Sequence, residues 1–374
     1  MRVEVAIVNQ LLSEIHAAFR NNRPRLVFEA TARRITKFGP RTFPSSDPLT
    51  YAFAVAAPAK PHRLDPLLLI VGPTASGKSR LGLEVAEDLG GEIISADAFA
   101  VYRMLDIGTD KPDLEARHRV RHHLVDVADP RDRFSAGAFA DAADAAIRDV
   151  TQRGRVPVVV GGTHFWIRAL LLGLFPSPPH DPEVDARLAT DWDRDPAATY
   201  RRLEAVDPDA AASIRSNDRQ RVLRALEIFE LTGRPISDHW KQHDQAAKYH
   251  PVMVSPQRPR AELYARIDQR VDVMFASGLE EEVRRILASG VPRDAHALRA
   301  IGYRQVVDYV EGLCDLESAI HDTKTASRRF AKRQLTWLRG LTEGPLRWVP
   351  PAEDGGVDAV TRLWSGEGRG RRPT

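Results

Sequence analysis

At 374 residues, 43% hydrophobic and 28% charged, the chain has the size and composition of a globular protein with one large or two ordinary domains around a buried core. No apolar run approaches the roughly 18 residues of a membrane helix, Glu4 interrupts the only apolar stretch near the N-terminus, and the single cysteine, Cys314, excludes an internal disulfide and a cysteine-cluster zinc site, so the cytoplasm is the expected compartment. The net charge of +3 hides ten Lys/Arg against four Asp/Glu in residues 1–63, so nucleic-acid binding elsewhere has to rest on local clustering of basic residues.

Residues 1–63 read as an N-terminal extension. A short helical pattern (Val8, Leu11, Leu12, Ile15, Phe19) gives way to Arg-rich and then Pro/Ser/Ala-rich sequence. Such a segment is expected to be poorly ordered, or to stem from translation begun upstream of the true start; a basic tail that helps to hold RNA is the alternative. Residues 64–177 then show regular punctuation. The apolar run 67–71 predicts a strand, 79–89 an amphipathic helix closed by Gly90 and Gly91, and 92–96 a second strand. Residues 139–153 predict an Ala-rich helix stopped by Gly154, and 156–160 a strand apolar throughout, as in sheets buried on both faces. Strands alternating with helices imply an α/β fold with a parallel sheet covered on both sides. Over 178–248 only helices are expected (184–192, 199–205, 219–232), which predicts a helical subdomain inserted into the α/β core. Residues 249–350 complete that core with a strand at 250–255 and helices at 260–289, 297–311 and 316–341; 351–374 read as a Gly/Arg tail.

Gly72, Pro73, Thr74, Ala75, Ser76, Gly77, Lys78 and Ser79 match G-x-x-x-x-G-K-[ST] between a predicted strand and a predicted helix, the context that the phosphate-loop motif requires. Backbone N–H groups and the helix N-terminus favour an anion there; Lys78 adds a positive charge and Ser79 a hydroxyl for Mg²⁺. Enzymes that hydrolyse nucleoside triphosphates usually place an acid for Mg²⁺ after an apolar strand. Here the strand at 156–160 runs into Gly161-Gly162-Thr163, although Asp126 remains a candidate for such a metal.

Several segments together resemble one family, the tRNA dimethylallyltransferases. They are the phosphate loop, Ile94-Ser-Ala-Asp97-Ala-Phe-Ala-Val-Tyr102, Asp106-Ile-Gly-Thr-Asp-Lys-Pro112, His122-His-Leu-Val-Asp126 and Val160-Gly-Gly-Thr163. Asn217 to Glu227 with Leu231 to Pro235, Arg299-Ala-Ile-Gly-Tyr-Arg-Gln305 and Ala331-Lys-Arg-Gln-Leu-Thr-Trp337 complete the set. The resemblance runs from about Leu67 to Trp348 and leaves the first 63 residues uncovered. It implies a P-loop NTPase-like core with an inserted helical, tRNA-binding subdomain. A channel would take dimethylallyl pyrophosphate from one side and the flipped adenosine beside the anticodon of a tRNA stem-loop from the other, in a monomer. By position it implies that Thr74 to Ser79 cradle the pyrophosphate, that Asp97 meets the adenine amine, and that Thr163 lies beside the reacting groups. It also implies RNA contacts at Ala98, Phe99, Ala100 and Asp185, at Gln220, Arg221 and Arg224, at Arg299, Gly302, Tyr303 and Arg304, and from Arg328 to Gln334, including Arg329, Lys332 and Arg333. Four positions depart from the pattern. Ala98 stands where serine is common, Ala100 where glutamine is frequent, and His164 where a smaller or apolar residue follows Gly-Gly-Thr. Asp185 stands where arginine is usual, with Arg187 a candidate to compensate.

The chemistry accounts for these residue types. Breaking an allylic C–O bond puts new negative charge on pyrophosphate, which a nest of N–H groups, Lys78 and Mg²⁺ stabilises. Adenine's exocyclic amine is a weak nucleophile, and a carboxylate that accepts its proton, Asp97, makes it competent; a turn cap or an outer Mg²⁺ ligand is the alternative role for Asp97. A stacked adenine must also be extruded, at a cost that RNA contacts offset. The helix at 316–341 carries Lys324, Arg328, Arg329, Lys332, Arg333 and Arg339 against Glu317 and Asp322, and with Arg219, Arg221 and Arg224 forms the expected RNA groove. His122 and His123 diverge and read as structural, and the six tryptophans read as packing residues. Three other readings stay open: an adenylate (AMP/ADP) isopentenyltransferase, an ATP-dependent small-molecule kinase, and a non-catalytic RNA-binding module.

Overall fold

Strands that are apolar on both faces need cover on both sides, and Leu67 to Val71 are completely buried. The computed structural model describes residues 64–175, 177–178, 180–242 and 247–367. The helical pattern and the basic-tail reading of residues 1–63 fall outside them. Six parallel strands form one sheet: β1 (Pro66–Val71), β2 (Glu92–Ala96), β3 (His122–His123), β4 (Pro157–Gly161), β5 (His250–Pro256) and β6 (Leu346–Val349), in the order β3-β2-β4-β1-β5-β6. Parallel neighbours need crossovers, and helices α1 (Lys78–Asp88), α2 (Leu114–Arg119) and α3 (Ala136–Gln152) supply them after β1, β2 and β3. Register pins β1 between β4 and β5, with Leu68 level with Val158 and with Val252. The loops that follow β1, β2 and β4 therefore meet at one end of the sheet, the C-terminal edge, where open α/β sheets bind ligands.

After β4 come α4 (His164–Leu172) and then, among the described residues, five helices in succession: α5 (Pro182–Arg194), α6 (Pro196–Val206), α7 (Pro208–Ser213), α8 (Arg219–Thr232) and α9 (Ile236–Gln242). Asp181, Asp195 and Asp207 cap α5, α6 and α7, each with proline at the first helical position. An Asp side chain satisfies free N–H groups, and a proline there loses no hydrogen bond, so each Asp-Pro pair both breaks the chain and restarts a helix. The group has its own core, in which Leu188, Leu203, Val222 and Leu226 are fully buried.

The long helix expected over 260–289 is two helices, α10 (Arg260–Ala276) and α11 (Leu279–Ala288). Gly278 separates them at φ +94, a left-handed conformation that a side chain would strain. The helix expected over 297–311 is a short 3₁₀ turn, His296–Arg299, followed by α12 (Tyr303–Val310), and α13 (Leu316–Arg339) matches the long basic helix of the sequence. Within the stretch read as a tail lies α14 (Gly356–Glu367); Val360 is fully buried against the sheet and Thr361 donates to Asp88 of α1 at 2.9 Å. Among the described residues no helix is long and apolar enough to cross a membrane.

Candidate active site

The phosphate loop leaves β1 at Gly72 and enters α1 at Lys78, with Ala75 held at φ +63. Positive φ at alanine is uncommon and needs outside support. Helices α10 and α13 and the segment just before α10 give it. Arg270 Nη1 donates to Thr74 Oγ1 at 3.0 Å, Arg266 Nε to the Ala75 carbonyl at 3.0 Å, and Arg258 Nε to the Ser76 carbonyl at 2.9 Å. Gln334 of α13 is buried and uses both ends of its amide: Oε1 accepts from Thr74 N–H at 2.8 Å, and Nε2 donates to the Gly162 carbonyl at 3.0 Å. The resemblance had grouped Gln334 with the RNA contacts; it instead ties the phosphate loop to the corner after β4. Arg258, Arg266, Arg270 and this use of Gln334 are absent from the sequence reading. The one available signal was the spacing of Arg266 and Arg270, four apart and so on one helix face.

That corner has to be glycine. A Cβ on Gly161 would stand 2.2 Å from the Ala96 carbonyl oxygen, and one on Gly162 would stand 2.6 Å from Gln334 Nε2 and 3.0 Å from the Gly72 oxygen. Thr163 follows, its Oγ1 accepting from Ala98 N–H at 3.0 Å. Asp97 therefore sits between the ends of β2 and β4. Its Oδ1 accepts from Phe99 N–H at 2.9 Å and Ala100 N–H at 3.2 Å, while Oδ2 accepts from no described residue. Both readings of Asp97 are thus built in: one oxygen caps the turn, and the other is left for a ligand.

A cavity of about 980 Å³ joins these parts. Thr74, Lys78 and Ser79 line it from the phosphate loop, Asp97 to Ala100 and Gly161 to His164 from the strand ends. Ile267, Arg270 and Met274 line it from α10, and Phe330, Arg333, Gln334 and Trp337 from α13; Arg221 and Arg299 also reach it. Burial pushes the Lys78 ammonium below the usual lysine range and Arg270 adds to this, while Asp97 and Asp110 oppose it. An anion between Lys78 and Arg270 relieves that cost. His164 lies flat on the Trp337 indole, with ring centres 4.0 Å apart and an 11° tilt. Burial, with Lys78 nearby, holds its imidazole down to about 4, and its buried Nε2 has no partner among the described residues.

The remaining expected RNA contacts divide. Arg221, Arg299 and Arg333 line the cavity. Tyr303 cannot contact RNA, because it is completely buried: its hydroxyl donates to Glu282 at 2.5 Å and accepts from Gly108 N–H at 3.1 Å, and burial next to that carboxylate raises its pKa. Glu282 also accepts from the N–H groups of Asp106 and Ile107, so the Asp-Ile-Gly-Thr segment is held by α11 and α12. Arg224 grips Glu227 at 2.6 Å and the Pro178 carbonyl at 2.8 Å, an internal clamp on the start of the inserted helices. Gly302 starts α12, and Arg328 pairs with Asp268 of α10. Gln220, Arg304, Arg329 and Lys332 lie outside the cavity lining. Asp185 lies 3.4 Å from His180, and Arg187 is bound to Glu230 and so does not compensate for it.

Asp126 is not available to a metal: Lys111 holds one oxygen at 2.6 Å and Arg117 the other at 2.7 Å. His123 pairs with Glu92 at 2.7 Å and His122 Nδ1 meets the Val120 carbonyl at 2.8 Å. Trp166 and Trp192 are buried packing residues, whereas Trp337 faces the cavity and Trp348 the solvent.

The model of the IPP transferase family matches residues 100–341. A tRNA dimethylallyltransferase of Halorhodospira halophila is 47% identical over 283 residues, covering 75% of this chain and 91% of that one. One of Thermomicrobium roseum is 45% identical over 296 residues, covering 79% and 89%. Among solved structures, the tRNA isopentenylpyrophosphate transferase of Bacillus halodurans aligns with a TM-score of 0.59 at 36% identity, over 82% of this chain and 97% of that one. A eukaryotic dimethylallyltransferase captured acting on tRNA aligns with a TM-score of 0.70 at 26% identity, over 83% and 80%.

Proposed function

The chain belongs to the IPP transferase family, and from that premise we propose that it transfers a dimethylallyl group from dimethylallyl pyrophosphate to the exocyclic amine of the adenosine 3′ of the anticodon in tRNA, releasing pyrophosphate. The observation that carries this reading is one continuous cavity with a phosphate loop on its wall and a carboxylate, Asp97, whose second oxygen is uncommitted. The pyrophosphate lies on the loop N–H groups between Lys78 and Arg270, where charge develops as the C–O bond breaks. The amine nitrogen takes the prenyl carbon, and its proton passes to Asp97 Oδ2. Thr163, through its bond to Ala98 N–H, keeps the Asp97 turn in place beside the corner that Gln334 ties to the loop.

Mg²⁺ fits this donor set. Ser79 offers a hydroxyl at the cavity, and among the described residues no cluster of three His, Cys, Asp or Glu forms a cage. Mg²⁺ is commonly held by few protein oxygens, waters and substrate phosphates. Bound beside Ser79, it would neutralise charge on the leaving pyrophosphate. The same reading takes the protein to act on tRNA as a monomer in the cytoplasm. Asp126, the acid that the sequence offered for the metal of a nucleoside-triphosphate enzyme, is taken by Lys111 and Arg117, which removes that support for the kinase reading.

The test offers labelled dimethylallyl pyrophosphate in parallel to unmodified tRNA and to AMP. Label in tRNA that disappears in Asp97→Ala supports both acceptor and base. Label in AMP alone keeps the chemistry and overturns the acceptor. ATP consumption with no label in either overturns the reaction.

A further inference from the structure

The cations of α13 have different fates. Lys324 pairs with Asp272 at 2.6 Å and Arg328 with Asp268, both across to α10. Arg333 stands over the Phe330 ring and lines the main cavity. Lys332 and Arg339 lie on another flank of the helix, where they line a separate cavity of about 320 Å³ with Arg260 and Tyr264 of α10 and Trp348 of β6. The two cavities share α10 and α13 as a wall.

Among the described residues no carboxylate lines this second cavity. Its Arg258 is neutralised by Glu262 and Glu353. Arg260, Lys332 and Arg339 have no acidic partner among the described residues, and all three line this one cavity. Arg260 is held in place: its Nε donates to Tyr264 Oη at 3.0 Å and its guanidinium sits 5.0 Å from that ring's centre. Trp348 is 39% exposed, an uncompensated aromatic face beside uncompensated cations. A concave site with converging cations, aromatic faces and no acid is the pattern that binds single-stranded nucleic acid, with phosphates on the cations and a base on the ring.

We propose that this pocket is a second nucleic-acid site, which holds an unpaired nucleotide of the RNA substrate outside the catalytic cavity: its base lies on the Trp348 indole and its phosphates on Arg260, Lys332 and Arg339. The inference rests on the tRNA reading of the main cavity and adds a contact remote from the reacting atoms. It supplies affinity and leaves the chemical step untouched.

The experiment measures tRNA affinity against salt, and single-turnover transfer at saturating tRNA, for the full chain, Trp348→Ala, Trp348→Phe and Arg260→Ala/Arg339→Ala. Trp348→Ala should weaken tRNA binding about tenfold or more, with Trp348→Phe near wild type. Removing both arginines should lower the slope of log affinity against log salt by about 1.4. The saturated transfer rate should stay within about twofold of wild type in every variant. Unchanged affinity and slope in folded variants, with wild-type transfer intact, would overturn the second site alone. Loss of slope with no effect of Trp348→Ala would overturn base stacking. Wild-type protein that fails to label tRNA would defeat the proposed function instead.

Discussion

The two ends of β2 carry carboxylates five residues apart that have been treated in opposite ways. At the N-terminal end Glu92 is buried and saturated: Arg153 holds both oxygens, His123 donates at 2.7 Å, and Arg155 stands at 3.5 Å. At the C-terminal end Asp97 gives one oxygen to backbone N–H groups and keeps the other for a ligand, with Lys78 near it in the cavity. A buried charge whose bonds are all made within the protein stabilises the fold; one left partly unmet is a place where a substrate completes the set. The same contrast separates Arg224 and Tyr303, which close on Glu227 and Glu282, from Lys78 and Arg270, which converge on the cavity.

The largest expected effect is at the open end. Asp97→Asn keeps an Oδ1 that accepts from Phe99 and Ala100, so the turn survives while the proton acceptor is lost. The single-turnover transfer rate should fall about 10²–10⁴-fold, with tRNA affinity unchanged. Near-normal transfer would leave Asp97 only its role as a turn cap. Next comes the strap between loop and corner. Gln334→Leu strands the Thr74 N–H and the Gly162 carbonyl and frees the phosphate loop to shift. A displacement of about 1 Å in such a site costs on the order of 10²-fold in rate. Transfer at saturating donor is the readout, and rates equal to wild type would show that Arg258, Arg266 and Arg270 hold the loop without it.

At the closed end the expected signature is stability. The Arg153 hydrogen bonds hold the Glu92 carboxyl down to about 2, against the desolvation that would raise it, with His123 assisting. Its folded value is depressed, so the stabilisation is complete above the unfolded carboxylate range near 4.5 and is lost as pH falls toward 2. A shift of that size corresponds to roughly 3 kcal/mol. Glu92→Gln should lose about 2–3 kcal/mol in urea unfolding at pH 7 and show a flatter acid limb, with transfer unchanged at neutral pH. Equal stability at pH 7 would mean that Arg153 is held well enough by Asp149.

What the sequence made legible was local. The phosphate loop lies within eight consecutive residues, apolar runs marked the long strands, and Asp-Pro pairs marked the breaks among the inserted helices. What it hid was contact at long range. Gln334 and Thr74 are 260 residues apart, and nothing in Ala-Lys-Arg-Gln says that the glutamine points inward beside a lysine and an arginine. The basic helix read as one RNA face because the partners that neutralise Lys324 and Arg328, Asp272 and Asp268, lie on another helix. Strand β3 has two residues and β6 four, too short for a period to register. Helix α4 is apolar almost all round, so its buried Trp166, Ile167, Leu170 and Leu171 give no amphipathic stripe.

His164 sharpens the comparison at the smallest scale, because it is a buried polar group at the open end that has not been satisfied. Its folded imidazole titrates near 4, below an ordinary histidine, so between about pH 6.5 and 4 the unfolded chain binds the extra proton and the fold loses stability as pH drops. His164→Phe preserves the stack on Trp337 and removes the stranded Nε2. Its unfolding free energy should fall less steeply than wild type through that window, by about 1–2 kcal/mol overall once partial exposure is allowed for. That window lies mostly above the one in which Glu92 acts, so the two substitutions should flatten different parts of the acid limb. If His164→Phe also leaves transfer intact, the imidazole serves only as a flat wall beside Trp337. If transfer falls while stability rises, the unsatisfied nitrogen is kept for a ligand, as the free oxygen of Asp97 is.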